Sequence, residues 1–227
     1  MKRILLGLAL VLGAPQAFAA ATTDTAATIS YEFRSVSSEG VTKETRFQER
    51  LYRAGNQLWT ERVLPRQAAH DKQDKDHADH EHDLALGAAA KYIVRDERGQ
   101  LNLQFVRVED KMIIQTEPRD YPEVGFDGSW DSAYYLINPA QLKKMQKLAA
   151  KAPVANASWY EQKTNTYVRR VLWADDKQMP LLIETSSRDG SRYSKTTIAP
   201  ESLPAANQLP WTRLASYQRR AYIDLLD

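Results

Sequence analysis

Apolar and polar positions alternate with a period of two along most of this chain, the pattern of half-buried β-strands. TISYEFRSV is rich in β-branched and aromatic residues, and SSEG breaks it. In VTKETRFQERLY, Thr45, Phe47, Glu49 and Leu51 fall on one face, with Arg46, Gln48 and Arg50 on the other. RAGN reads as a turn and QLWTERVL as a third strand, so the first part predicts an antiparallel meander. Residues 21–26 read as a frayed start, and Pro65 ends the meander. Residues 66–88 carry neither the strand nor the helix period and read as a long loop.

Strands resume with KYIVRD, then LNLQFVRV, where Leu101, Leu103 and Phe105 share a face, then KMIIQTE. RDYPEVGFDGSWD reads as an ordered loop. Gly125 and Gly128 supply unusual backbone angles, Asp127 and Asp131 bond backbone amides, and Phe126 and Trp130 anchor it in the core. DSAYYLI fits strand or helix. NPAQLKKMQKLAAK predicts a helix, with Asn138 as its cap and Pro139 at its first position. ASWYEQK, TYVRRVLWAD, MPLLIETSS and SRYSKTTIA form a second meander, with a hairpin at Asp189-Gly190. At the end, Trp211, Leu214, Tyr217, Ala221 and Leu225 recur at spacings of three and four, which predicts an amphipathic helix from Pro210. About nine antiparallel strands with a few helices make a mainly antiparallel β, α+β protein.

The first nineteen residues stand apart from this pattern. Lys2 and Arg3 precede the apolar run ILLGLALVLGA, and Ala17-Phe18-Ala19 places small residues where a signal peptidase cuts. The expectation is a signal peptide over 1–19, cleaved near Ala19, and one β-rich domain over 20–227. No later run is apolar enough to cross a membrane. Lys2 and Arg3 account for the excess of 31 Lys+Arg over 29 Asp+Glu, so the mature chain is balanced. A balanced chain has no global electrostatic reason to bind nucleic acid. With no cysteine there are no disulfides, thiolate nucleophiles or Cys-based metal sites. Signal and composition together point to a periplasm.

All four histidines fall in HDKQDKDHADHEHD: His70, His77, His80 and His82. Asp76, Asp79 and Glu81 lie among them. Imidazole suits Zn and Cu(II), and carboxylates complete such sites. On a helix Asp76 would meet His80, and His77 would meet Glu81; in an extended chain His80 and His82 would share a side. Weak divalent-metal binding is one expectation, and a solvated acidic loop is the other. A Ser-His-Asp arrangement would have to draw its histidine from this loop, and no phosphate-cradling glycine motif is present, so a non-enzymatic role is expected.

The stretch RRVLWADDKQMPLLIETSSRDGSRYSKTTI, residues 169–198, resembles the C-terminal meander of the outer-membrane lipoprotein carrier (LolA-like) superfamily. The resemblance rests on Leu172 and Trp173 before the acidic turn at Asp175 and Asp176, on Pro180 and Leu181, and on Asp189 and Gly190. ERLYRAGNQLWTERV is similar to the matching N-terminal meander of that group and of its periplasmic sigma-regulator relatives. The resemblance implies a curved half-barrel sheet wrapping helices. It also implies a role in binding acyl chains, lipoproteins or an envelope protein partner. An apolar cavity would then draw on Trp59, Phe105, Trp130, Tyr134, Trp173 and Trp211, with the C-terminal helix as core packing or as a lid.

Overall fold

A computed structural model describes residues 24–64 and 86–226. The segment 1–19 read as a signal peptide and the histidine-rich stretch lie outside the described residues. Twelve strands form one sheet in the order β12-β6-β5-β4-β3-β2-β1-β11-β10-β9-β8-β7. The first meander comprises β1 (Thr25–Val36), β2 (Thr42–Ala54), β3 (Gln57–Arg62), β4 (Ala90–Arg95), β5 (Leu101–Arg107) and β6 (Met112–Gln115). The second comprises β7 (Gln146–Lys147), β8 (Ala157–Lys163), β9 (Tyr167–Ala174), β10 (Met179–Ser187) and β11 (Arg192–Glu201). Pairing of β1 with β11 joins the two. β12 (Gln218–Ala221) adds a parallel strand beside β6. The sheet is open and curved, with β12 and β7 at its two ends. Two short helices, α1 (Trp130–Tyr135) and α2 (Pro139–Leu142), complete a mainly antiparallel fold.

Register decides which residues share a face. On the inner face, defined here as the one that α1 and α2 cover, Ala27, Ile29, Leu51, Leu58, Ile93, Leu103, Phe105 and Ile114 are buried together. The 117–137 segment closes over them through Tyr121, Phe126, Trp130 and Leu136. Farther along the same face, Val171 and Trp173 pack against Ile137, Leu142 and Met145. Each fully buried Ile, Leu or Val side chain contributes about 1.5–3 kcal/mol. On the outer face, Trp59, Tyr92, Val106 and Ile113 pack beneath Leu214, Trp211 and Tyr217.

The outer face elsewhere is charged in an ordered way. Direct cross-strand partners run Glu161, Arg170, Glu184, Lys195, Glu32, Arg46 across six strands. Opposite charges at facing positions favour this register over a slipped one. Arg170 Nε lies 2.9 Å from Glu161, which also holds Lys163 at 2.6 Å.

Four expectations are corrected. The chain from Pro210 is not an amphipathic α-helix: a 3-10 helix spans Pro210–Ser216, β12 follows, and a second 3-10 helix spans Tyr222–Leu225. The 3-10 form has three residues per turn, so it aligns Trp211, Leu214 and Tyr217, and the open edge of β6 then takes up the chain as a strand. The helix at Asn138 has its cap, with Asn138 Oδ1 accepting from Ala140 N at 2.9 Å, but stops after Leu142 because the chain turns to pair with β8. The start is not frayed at residues 25 and 26: β1 begins at Thr25, and Ala26 and Ala27 are buried between β2 and β11. The sheet has twelve strands rather than about nine, the extra ones being short edge pieces and the C-terminal strand. DSAYYLI resolves as the helix α1, capped by Ser129 Oγ, which accepts from Ser132 N at 3.1 Å.

Candidate functional site: the open half of the inner face

Burial along β1 falls off toward its C-terminal end. Ala27 and Ile29 are buried, Tyr31 is half-buried, and Phe33 is 43% exposed. All four share the inner face, so the covering segment ends near Tyr31 and the sheet continues past it. The reason is strand length: β1 and β2 have 12 and 13 residues, whereas β3 has 6.

Two rows of facing residues form the floor, open at the β1–β2 side, while Val171, Ile183 and Tyr160 at the far end of the first row pack with Ile137, Leu142 and Met145. One runs Phe47, Tyr31, Thr196, Ile183, Val171, Tyr160; the next runs Thr45, Phe33, Ser194, Thr185, Arg169, Gln162. At the β1–β2 side three rings stack. Tyr31 and Phe47 lie 4.6 Å apart, Phe33 and Phe47 6.0 Å, and Tyr31 and Phe33 6.3 Å, with all interplanar angles at or below 26°. The Arg62 guanidinium sits 3.7 Å from the centre of the Phe47 ring. Such ring and cation–π pairs are worth about 0.5–1.5 kcal/mol each beyond burial. Tyr31 Oη donates to Glu49 at 3.0 Å. Burial first, and the Glu49 carboxylate second, push the Tyr31 pKa up, so this tyrosine stays protonated at any physiological pH. Across the sheet, Arg169 Nε donates to Thr185 Oγ1 at 3.3 Å, with its guanidinium 5.4 Å from the Tyr167 ring centre.

The inner end of the floor is fastened by Arg53, a wholly buried residue of β2. It donates to the carbonyls of Tyr134 at 2.9 Å and Gln178 at 3.3 Å, and also to that of Lys177. Its guanidinium lies 4.9 Å from the Tyr134 ring centre. One side chain thus ties β2 to the last turn of α1 and to the β9–β10 turn. Leu136, next to α1, and Gln178, in that turn, both have left-handed backbones, at φ 61° and 46°. Non-glycine residues persist there only where surrounding contacts hold them. Burial pulls the Arg53 pKa down from the usual arginine value. Alternation continued from Leu51 places residue 53 on the inner face, but its turn-like neighbours Gly55 and Asn56 hide that signal in the sequence.

The proposed cavity residues do not converge. Phe105, Trp130 and Tyr134 lie on the inner face, where Trp130 and Tyr134 stack at 4.9 Å. Trp173 belongs to the neighbouring inner cluster. Trp59 and Trp211 are on the outer face, with Trp211 stacked on Tyr92 at 5.9 Å. The 125–131 loop holds as expected at Asp127, whose Oδ1 accepts from Ser129 N at 2.9 Å, and at Phe126, which is buried against Tyr121. His70, His77, His80, His82, Asp76, Asp79 and Glu81 lie outside the described residues. Among the described residues, no group of three His, Asp or Glu is placed to hold a metal ion. Among them too, no helix is long and apolar enough to cross a membrane.

No family model and no curated protein matches the chain. Solved structures do. A LolA superfamily protein from Nitrosomonas europaea is 9% identical, over 83% of this chain and 89% of that one, with a TM-score of 0.33. A Pseudomonas aeruginosa MucA/MucB complex gives 12% identity over 81% of this chain and 54% of the other, with a TM-score of 0.37. PNGF-II gives 12% identity and a TM-score of 0.37; this chain covers 33% of its length. At these identities and TM-scores all three are remote likenesses.

Proposed function

We propose that this chain is a non-enzymatic binding protein of the bacterial envelope, acting in the periplasm. Its ligand surface is the open half of the inner face, and the ligand's apolar part is an acyl chain. The observation that supports this reading is the Tyr31–Phe47–Phe33 stack, which continues the buried core of the inner face into solvent. An acyl chain laid along these rings would shield them from water without displacing the protein's own core. The floor beside them, with Thr196, Ser194 and Thr185, offers hydroxyls to a polar part of the same ligand.

Titration with a fluorescent single-chain fatty acid tests it. Replacing Phe33 and Phe47 together by alanine should weaken binding about tenfold, since each ring forfeits part of the roughly 1.5–3 kcal/mol of a buried aromatic. Unchanged affinity in a folded double variant sinks the reading. Binding of an extended protein segment but no fatty acid would replace the acyl chain with an envelope protein partner.

A second reading rests on the sequence. His70, His77, His80 and His82, with Asp76, Asp79 and Glu81, would hold Zn or Cu(II) weakly. Calorimetric titration of the full chain should then show metal binding that deletion of residues 70–83 removes without lowering thermal stability.

A further inference from the structure

The charges of the sheet are sorted between its two faces, and the sorting bears on the ligand's polar end. On the outer face of β1–β3 and β8–β11 acids and bases balance, as the six-residue ladder shows. On the inner face beyond the cover, register places four cations: Lys43, Arg62, Arg169 and Arg192. The same face of these strands carries one acid, Glu49, whose carboxylate accepts from Tyr31. Glu49 faces Arg62 directly across β2 and β3, and among the described residues no carboxylate lies within salt-bridge distance of Lys43, Arg169 or Arg192.

Their positions surround the aromatic stack. Arg62 lies against Phe47 on one side. Arg169 lies three strands away from Phe33 on the other, a separation of about 14 Å at the usual strand spacing. Lys43 and Arg192 both face Ser35, one inner-face step beyond Phe33. Two long cationic side chains flanking one small residue can close on a common anion, and both are exposed. The apolar lane therefore ends between two cations rather than at a neutral tip.

We infer that the ligand is a single-chain amphiphile with a net anionic head. Its chain lies over Phe33, Phe47 and Tyr31, and its head lies between Lys43 and Arg192. This inference rests on the acyl-binding reading above and adds the choice of head group. The four cations concentrate positive charge around the aromatic stack, with the apolar lane beside it.

The test compares lysophosphatidylglycerol with lysophosphatidylcholine of the same acyl chain, both below their micelle concentrations, by calorimetric titration of the full chain. Solvent-exposed ion pairs of this kind add up to a preference of about tenfold for the anionic lipid at low salt, shrinking as salt rises. In the double variant Lys43→Gln, Arg192→Gln the preference should fall below threefold. The outer-face pair Arg46→Gln, Lys195→Gln removes the same net charge and should leave it near tenfold. Equal binding of both lipids by the wild type overturns the head-group inference and leaves the acyl reading standing. An equal loss of preference in the outer-face pair overturns it too, because net charge alone would then explain the effect. Failure of both lipids to bind overturns both readings.

Discussion

Asp189 shows how one side chain can be both a turn former and a pH sensor. The turn between Ser187 and Arg192 needs a left-handed residue, and Gly190 supplies it at φ 73°. Hydrogen bonding from Ser187, then from the amide and hydroxyl of Ser191, holds the Asp189 carboxyl down to about 2. Its folded pKa is thus below the ordinary value of about 3.9. The stability it contributes is complete above about pH 4 and disappears as pH falls through 2. Thermal melts of wild type and Asp189→Asn should therefore converge between about pH 4 and pH 2, with the wild type losing more. Parallel losses would mean that Asp189 is not the titrating group. Arg53 acts at the same scale through desolvation. Arg53→Met fills similar volume but leaves the three carbonyls of Tyr134, Lys177 and Gln178 without their donor. Buried acceptors left unsatisfied cost about 1–3 kcal/mol each, partly relieved by water, so a loss of roughly 3 kcal/mol in urea denaturation is expected. A loss under about 1 kcal/mol would show that water replaces the guanidinium at no penalty.

The C-terminal segment shows why elements cannot be read from periodicity alone. Its apolar residues keep helical spacing in the sequence, yet they serve both faces of the sheet. Leu214, Trp211 and Tyr217 pack on the outer cluster, β12 runs along the β6 edge, and Tyr222 and Leu225 pack on the inner cluster. The segment is a clasp around the edge, which otherwise would present unpaired backbone groups to other chains. Leu214→Ala should cost about 2–4 kcal/mol, and Leu225→Ala a smaller amount because that side chain is half-buried. The two effects should add in the double variant, since the sites lie on opposite faces. Strong non-additivity, measured by urea denaturation, would place both in one cluster and refute the clasp. The strands were more legible: in β2 and β5 the faces read from alternation are those of the observed register, because neighbouring positions differ in kind there. The helix at Pro139 was legible at its cap, a local interaction, and not in its length, which the edge of β8 decides.

For the whole molecule, the amino-acid order alone established a mainly antiparallel fold, two meanders and the turns between them. These depend on interactions between near neighbours and on a period of two, so they are written locally. It also placed Phe47 and Glu49 together on one face of a strand. Nothing in the order of residues shows that Phe33 and Phe47 stack, that Arg62 lies on Phe47, or that Lys43 and Arg192 flank the same residue. Those facts follow from pairing β1 with both β2 and β11, partners far apart in the chain, and from covers that stop at Tyr31. Likewise the division of the six cavity residues between two faces required the register of distant strands. Local sequence determines which elements form; only the closing of long-range pairs, which sets every side chain to one face or the other, decides which residues meet and where the sheet is left open.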